Sequence, residues 1–124
     1  MKNIAIGENH LYSKVYAKGK KCVTRLAVVY LLPDYAAARL QKAHPQKIRV
    51  NRIGLTVSKK LGNAVERNRT KRIIREAYRQ IEKENSVKCG FLIVIAARHS
   101  AVSSDSKEMK KELKKALQSL GMIQ

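Results

Sequence analysis

Between Lys59 and Arg79 the chain carries eight basic residues (Lys59, Lys60, Arg67, Arg69, Lys71, Arg72, Arg75 and Arg79) against two acids, Glu66 and Glu76. Within the second half of this stretch arginine outnumbers lysine, and the planar guanidinium fork matches phosphate oxygens. Arg67, Lys71 and Arg75 recur at i, i+4, a like-charge spacing that destabilises an isolated helix. A phosphate backbone would relieve that repulsion by binding to it. Asn68 stands among them with both a donor and an acceptor for a base edge or a sugar hydroxyl. The chemistry these residues suit is recognition of a nucleic-acid backbone. The plain alternative is a solvated helix face. The arginine content, the like-charge spacing and the asparagine argue against it.

A second chemistry is not visible. Hydrolysis by protein side chains and metal needs converging carboxylates or clustered ligands. Asp34 and Asp105 lie far apart in loop-like sequence. Glu66, Glu76, Glu82 and Glu84 fall in one helical stretch among basic residues, and His10, His44 and His99 share no metal-ligand spacing. No catalytic residue and no metal ligand is therefore assigned to the chain. Cys22 and Cys89, without a CxxC pair or a secretory signal, read as small reduced core residues.

Composition points the same way. With 27 Lys plus Arg and 9 Asp plus Glu, the net charge is 27 − 9 = +18 on 124 residues, which suits a polyanionic partner. A hydrophobic share of 44% is too high for a disordered basic tail, and the length fits one domain over 1–124. No apolar run approaches the roughly 18 residues of a membrane span, and the N-terminus lacks a signal-peptide core. The expectation is a cytoplasmic protein with no membrane partner.

The elements that must position the basic residues follow from periodicity. Residues 8–18 read as a short helix, with Tyr12 and Tyr16 one turn apart and Gly19 to close it. Residues 22–32 read as one strand, stopped by Pro33-Asp34. Residues 33–48 form a connection with a possible helical turn at 35–42. Residues 50–58 alternate: Ile53, Leu55 and Val57 on one face, Arg52, Gly54, Thr56 and Ser58 on a small, polar face open to solvent or ligand. Asn63 caps a long helix over 64–84. On its wheel Arg67, Asn68, Lys71, Arg72, Arg75 and Arg79 cover about 140°, and Thr70, Ile73, Ile74, Ala77 and Ile81 form the apolar arc, with Tyr78 at its edge as a core residue; Arg69 lies off the basic arc, placed to brace the fold or reach another strand. Residues 90–97 are apolar in both parities, as in a strand covered on both faces. Residues 104–120 form a last amphipathic helix, ended at Gly121. The fold class is an α/β (α+β) two-layer sandwich of order α-β-β-(β)-α-β-α, whose strand–helix–strand crossover over 50–97 implies parallel pairing.

The ordered string Arg52-Ile-Gly-Leu-Thr-Val-Ser58-Lys59-Lys60-Leu-Gly62-Asn-Ala64-Val65-Glu-Arg67-Asn68-Arg69-Thr-Lys71-Arg72-Ile-Ile-Arg75-Glu76 closely resembles the signature of the bacterial ribonuclease P protein family. Its centre is the motif Arg67-Asn68-Arg69. Outside it, Tyr12, Tyr16 and Gly19 match the family's aromatic first helix, Tyr30 the aromatic end of its next strand, and Ala97-Arg98 the end of its apolar strand. The chain departs in having Tyr where the family usually has Phe, and Thr70 at a usually aliphatic position.

The resemblance implies a left-handed β-α-β crossover, against the general right-handed rule. It implies a subunit that joins a catalytic RNA and assists removal of the 5′ leader from precursor tRNA, with Mg²⁺ held mainly by that RNA and with no obligate protein partner. It implies RNA-binding roles for Arg52, Lys59, Lys60, Arg67, Asn68, Arg69, Lys71, Arg72 and Arg75, and a leader cleft made of Tyr12, Tyr16 and Tyr30, where aromatics stack unpaired bases. A ribosomal RNA-binding protein of similar fold and charge is the competing reading. A self-sufficient nuclease is opposed by the missing acid cluster, and a helix-turn-helix DNA binder by the strands flanking the basic helix.

Overall fold

The computed structural model describes residues 4–6, 9–35 and 51–123. In chain order the elements are β1 (Ile4–Ala5), α1 (Asn9–Lys18), β2 (Lys20–Val23), β3 (Ala27–Pro33), β4 (Arg52–Thr56), α2 (Ala64–Glu84), β5 (Phe91–Ala97) and α3 (Ser106–Ser119), with 3-10 turns at Lys59–Leu61 and His99–Ser103. The strands form one mixed sheet in the order β1-β4-β5-β3-β2. β4 runs parallel to β1 and β5, and β3 antiparallel to β5 and β2. The expected α/β sandwich and the parallel strand–helix–strand crossover are both present.

Register decides which side chains meet which helix. Val29 pairs with Ile95 and Leu31 with Ile93; these four pack in the main core with Ile74, Ala77, Tyr78 and Ile81 of α2 and Met109, Leu113, Ala116 and Leu117 of α3. The alternate pairs, Tyr30 with Val94 and Leu32 with Leu92, point to the other face, where Leu11 and Val15 of α1 cover them together with Ile6. β5 is therefore covered on both faces, as its apolar run requires. The strand's two helices α2 and α3 lie on one side and α1 on the other.

Helix ends are written locally. Asn63 and Glu66 make a reciprocal capping box: the Asn63 side chain accepts from Glu66 N at 2.9 Å, and Glu66 Oε1 accepts from Asn63 N at 3.1 Å. Asp105 caps α3 by accepting from Glu108 N at 2.8 Å. At the other end of α3, Met122 N donates to Leu117 O and Gly121 N to Gln118 O. This Schellman arrangement needs the left-handed φ of +79° that Gly121 supplies. It folds the buried Met122 back onto the core.

Two expectations are corrected. The stretch 22–32 is two strands rather than one. Thr24 reverses the chain: its hydroxyl donates to Ala27 O at 2.7 Å and accepts from Ala27 N at 3.1 Å, and Arg98 Nη1 donates to Thr24 O at 2.8 Å. Threonine counts as a strand former by propensity, which hides the hydroxyl that closes this hairpin. The short strand β1 was not expected; two residues carry too little periodicity to register. Apart from Tyr35, the helical turn expected at 35–42 lies outside the described residues.

Thr70 is fully buried in the face of α2 that meets the core, and its hydroxyl donates to Glu66 O at 2.9 Å, one turn back. That bond satisfies the group but adds little, because Glu66 O already serves the helix. Thr70→Val should leave stability within about 1 kcal/mol of the parent in urea unfolding. A loss above about 2 kcal/mol would mean that the hydroxyl anchors the packing.

Candidate nucleic-acid interface

The basic face of α2 is presented as its periodicity dictates. Asn68, Arg72 and Arg75 are exposed on the side away from Ala77 and Ile81, and Arg67 and Lys71 are half-buried at the border with the core face. Arg67 Nε itself is buried, so the half-buried Arg67 meets solvent through the rest of its guanidinium. From Arg67 to Arg75 the stripe runs about 12 Å, at 1.5 Å per residue. Lys59 and Lys60 lie just before α2 on a 3-10 turn whose start is fixed by Ser58 Oγ, which accepts from Lys60 N at 3.2 Å. Val65, 75% exposed, sits in the first turn of α2 beside these charges.

Some basic residues are engaged by other groups of the chain. Arg69 donates to Val102 O at 3.0 Å and to Ser104 O at 3.2 Å. These bonds brace the fold, tying α2 to the turn before α3, while Arg69 stays exposed. Arg79 forks onto Glu76 at 2.7 and 3.0 Å. That hydrogen bond, with a second from Gln80, holds the Glu76 carboxyl down at about 2. Arg52 lies on β4 rather than on this helix face, and its guanidinium forks onto the buried Asp34 at 2.7 and 2.8 Å. A buried carboxylate needs such a partner, which gives Arg52 a structural duty that its place in the motif does not reveal.

Tyr12, Tyr16 and Tyr30, far apart in sequence, come together on the sheet face that α1 covers. Tyr12 lies over Gly54 of β4, where a Cβ would meet the phenol ring at 2.6 Å; only glycine admits this approach. Burial pushes the Tyr12 hydroxyl pKa up, and the neighbouring Tyr16 adds to the rise. Tyr16 meets Tyr30 edge to face, with ring centroids 4.8 Å apart and planes at 85°. Tyr16 hydroxyl and Thr56 Oγ1 are 2.8 Å apart. Tyr16 keeps 40% exposure, so its ring is accessible to a ligand while one edge and the hydroxyl are fixed. Gly54 and Thr56 are the small and polar residues of the alternation in β4, and the face expected to stand open instead seats aromatic rings. Thr56, which sequence reading left without a role, joins the tyrosines to the basic stripe: Lys59 follows three residues later, within about 10 Å of chain. Tyr78 is core, as expected, although on the wheel it falls at the border of the basic arc, between Arg67 and Lys71.

Sulfate should occupy the stripe in place of phosphate. At ten times its dissociation constant it would stabilise the fold by about 1.4 kcal/mol, roughly 3–6 °C in the melt. Chloride at matched ionic strength is the control, and equal melting points would contradict an anion-binding face.

These features define a small basic α/β protein with two surfaces, one cationic and one aromatic. The family model for ribonuclease P matches residues 1–121. The protein components of ribonuclease P from Clostridium botulinum (strain Loch Maree) and Listeria innocua are 34% and 38% identical, over 98% and 90% of this chain and 98% and 83% of theirs. The ribonuclease P protein of Staphylococcus aureus superposes with a TM-score of 0.77 at 29% identity, covering 99% of this chain and 100% of that one. The chain belongs to the ribonuclease P protein family. As such it is part of an endoribonuclease complex of tRNA processing that includes an RNA subunit. Among the described residues no helix is long and apolar enough to cross a membrane.

Proposed function

We propose that this chain binds the catalytic RNA of ribonuclease P through the basic face of α2 and the 5′ leader of precursor tRNA through Tyr12, Tyr16 and Tyr30. The complex then removes the leader to give the mature tRNA 5′ end. The observation that carries the reading is the assembly of the three tyrosines on one sheet face, joined through Thr56 to Lys59 and Lys60. Unpaired leader bases stack on accessible aromatic rings, while phosphates of folded RNA meet Lys59, Lys60, Arg67, Lys71, Arg72 and Arg75, and Asn68 contacts a base edge or ribose hydroxyl. The exposed edge of Arg69 borders the same stripe.

The carboxylates here do not suit a Mg²⁺ site. Among the described residues no group of three His, Cys, Asp or Glu could hold a metal ion. Asp34, Glu76, Glu84 and Glu108 are each bridged to a different cation, and Asp105 caps α3. In this reading Mg²⁺ belongs to the RNA subunit, and the protein positions substrate and screens phosphate repulsion. Purified alone, the chain should leave precursor tRNA intact; adding the cognate RNA subunit in Mg²⁺ should give cleavage at the mature 5′ end. Cleavage by the chain alone, with RNA contamination excluded, would overturn the assignment.

A further inference from the structure

The charges on α3 are sorted to two flanks. At 100° per residue, Lys107, Lys110, Lys111, Lys114 and Lys115 fall within an arc of about 140°, while Glu108 and Glu112 lie together beyond its far edge. Every i, i+4 charge pair on the helix is consequently a like pair: Lys107 with Lys111, Lys110 with Lys114, Lys111 with Lys115, and Glu108 with Glu112. Opposite signs meet only where the two flanks adjoin, at the i, i+3 pairs Glu108–Lys111 and Glu112–Lys115; the rest of the lysine arc faces like charge.

Packing shows where the two flanks face. Lys110 Nζ lies 2.6 Å from Glu84 Oε1 at the end of α2, so the lysine flank abuts α2. Lys114 and Lys83 also bear on the Glu84 carboxyl, which is lowered chiefly by the Lys110 hydrogen bond. Glu108 turns the other way and bridges Arg25 at 3.0 Å, beside the β2–β3 hairpin. Lys107, Lys111 and Lys115 form no ion pair among the described residues. The α2 stripe and the lysine arc thus lie on the same helical layer, on the side of the sheet away from the tyrosines. Glu84, where Lys110 meets α2, lies about 13 Å beyond Arg75 at the end of the stripe, at 1.5 Å per residue, more than one phosphate contact spans.

We propose that the lysine arc of α3 is a second RNA-binding surface, which holds a separate backbone segment of the same RNA subunit that α2 grips. The proposal rests on the reading of α2 as an RNA contact. Lysine is a mobile point charge without the arginine fork, so this surface adds sequence-independent affinity and counterion release, and α2 sets register.

The test compares Lys107→Gln/Lys111→Gln/Lys115→Gln with the corresponding triple arginine variant. Affinity for the cognate RNA subunit is measured from low to moderate salt, with melting curves to verify the fold. The glutamine variant should bind roughly ten to a hundred times more weakly at low salt, with a log–log salt slope shallower by about 2. The arginine variant should restore both. A glutamine variant indistinguishable from a salt-dependent wild type would overturn this proposal alone. So would a variant that loses affinity for heparin but keeps it for the RNA subunit, since the face would then serve another polyanion. A wild type without salt-dependent RNA binding would instead sink the reading of α2, and this proposal with it.

Discussion

Replacing Arg67, Lys71 and Arg75 together by alanine will weaken assembly with the RNA subunit by about two to three orders of magnitude at moderate salt, while the protein itself melts no lower than wild type. The binding loss follows from removing three charge-assisted contacts of about 1.5–3 kcal/mol each, discounted because neighbouring contacts are not additive. The salt dependence should flatten as well, by about 2–3 in log–log slope, because fewer counterions are released. Retained stability follows from the same geometry. The three residues repel one another at i, i+4, alanine is the best helix former, and none of them makes an ion pair or capping bond among the described residues. Loss of binding without loss of stability separates a functional stripe from a structural one. Filter binding at several salt concentrations, beside thermal melts, reads both. A triple variant that assembles as tightly as wild type would remove α2 from the RNA interface.

Residue patterns carried the helices and the centre of the sheet further than they carried side-chain duties. The 64–84 helix has the limits its cap and period specify, because a capping box and a two-sided wheel are local signals. The hairpin at Thr24 was illegible because its closing bonds use a side chain whose propensity points to strand. In the same way, the motif lists Arg52 with the RNA-facing cations, yet its partner Asp34 lies eighteen positions away in sequence and meets it only across the fold. Arg69 was legible by its angle on the wheel, which placed it off the basic arc; the carbonyls it binds come from a turn more than thirty residues on. The tyrosine face needed both kinds of information. Spacing put Tyr12 and Tyr16 one turn apart, but only the sheet register brings Tyr30, Gly54 and Thr56 beneath them.

The second large effect concerns that face. Tyr16→Ala will leave assembly with the RNA subunit nearly intact and will weaken precursor tRNAs with long leaders by about 1–3 kcal/mol, roughly 5- to 150-fold, the value of a lost base stack. Tyr16 sits at the accessible end of the aromatic group, so truncating it removes a stacking surface while the buried contacts of α1 through Leu11 and Val15 stay in place. Tyr16→Phe discriminates further. It keeps the ring and the edge-to-face contact with Tyr30, loses only the hydroxyl contact with Thr56, and should bind close to wild type.

The most direct test of two separate RNA surfaces is the substrate affinity of the reconstituted holoenzyme as a function of leader length, for wild type and Tyr16→Ala. The account predicts equal affinities for a precursor trimmed to one leader nucleotide, and a deficit in Tyr16→Ala that opens as the leader lengthens and then levels off. If Tyr16→Ala weakens short-leader and long-leader precursors equally, the tyrosines are structural and the leader does not bind this face.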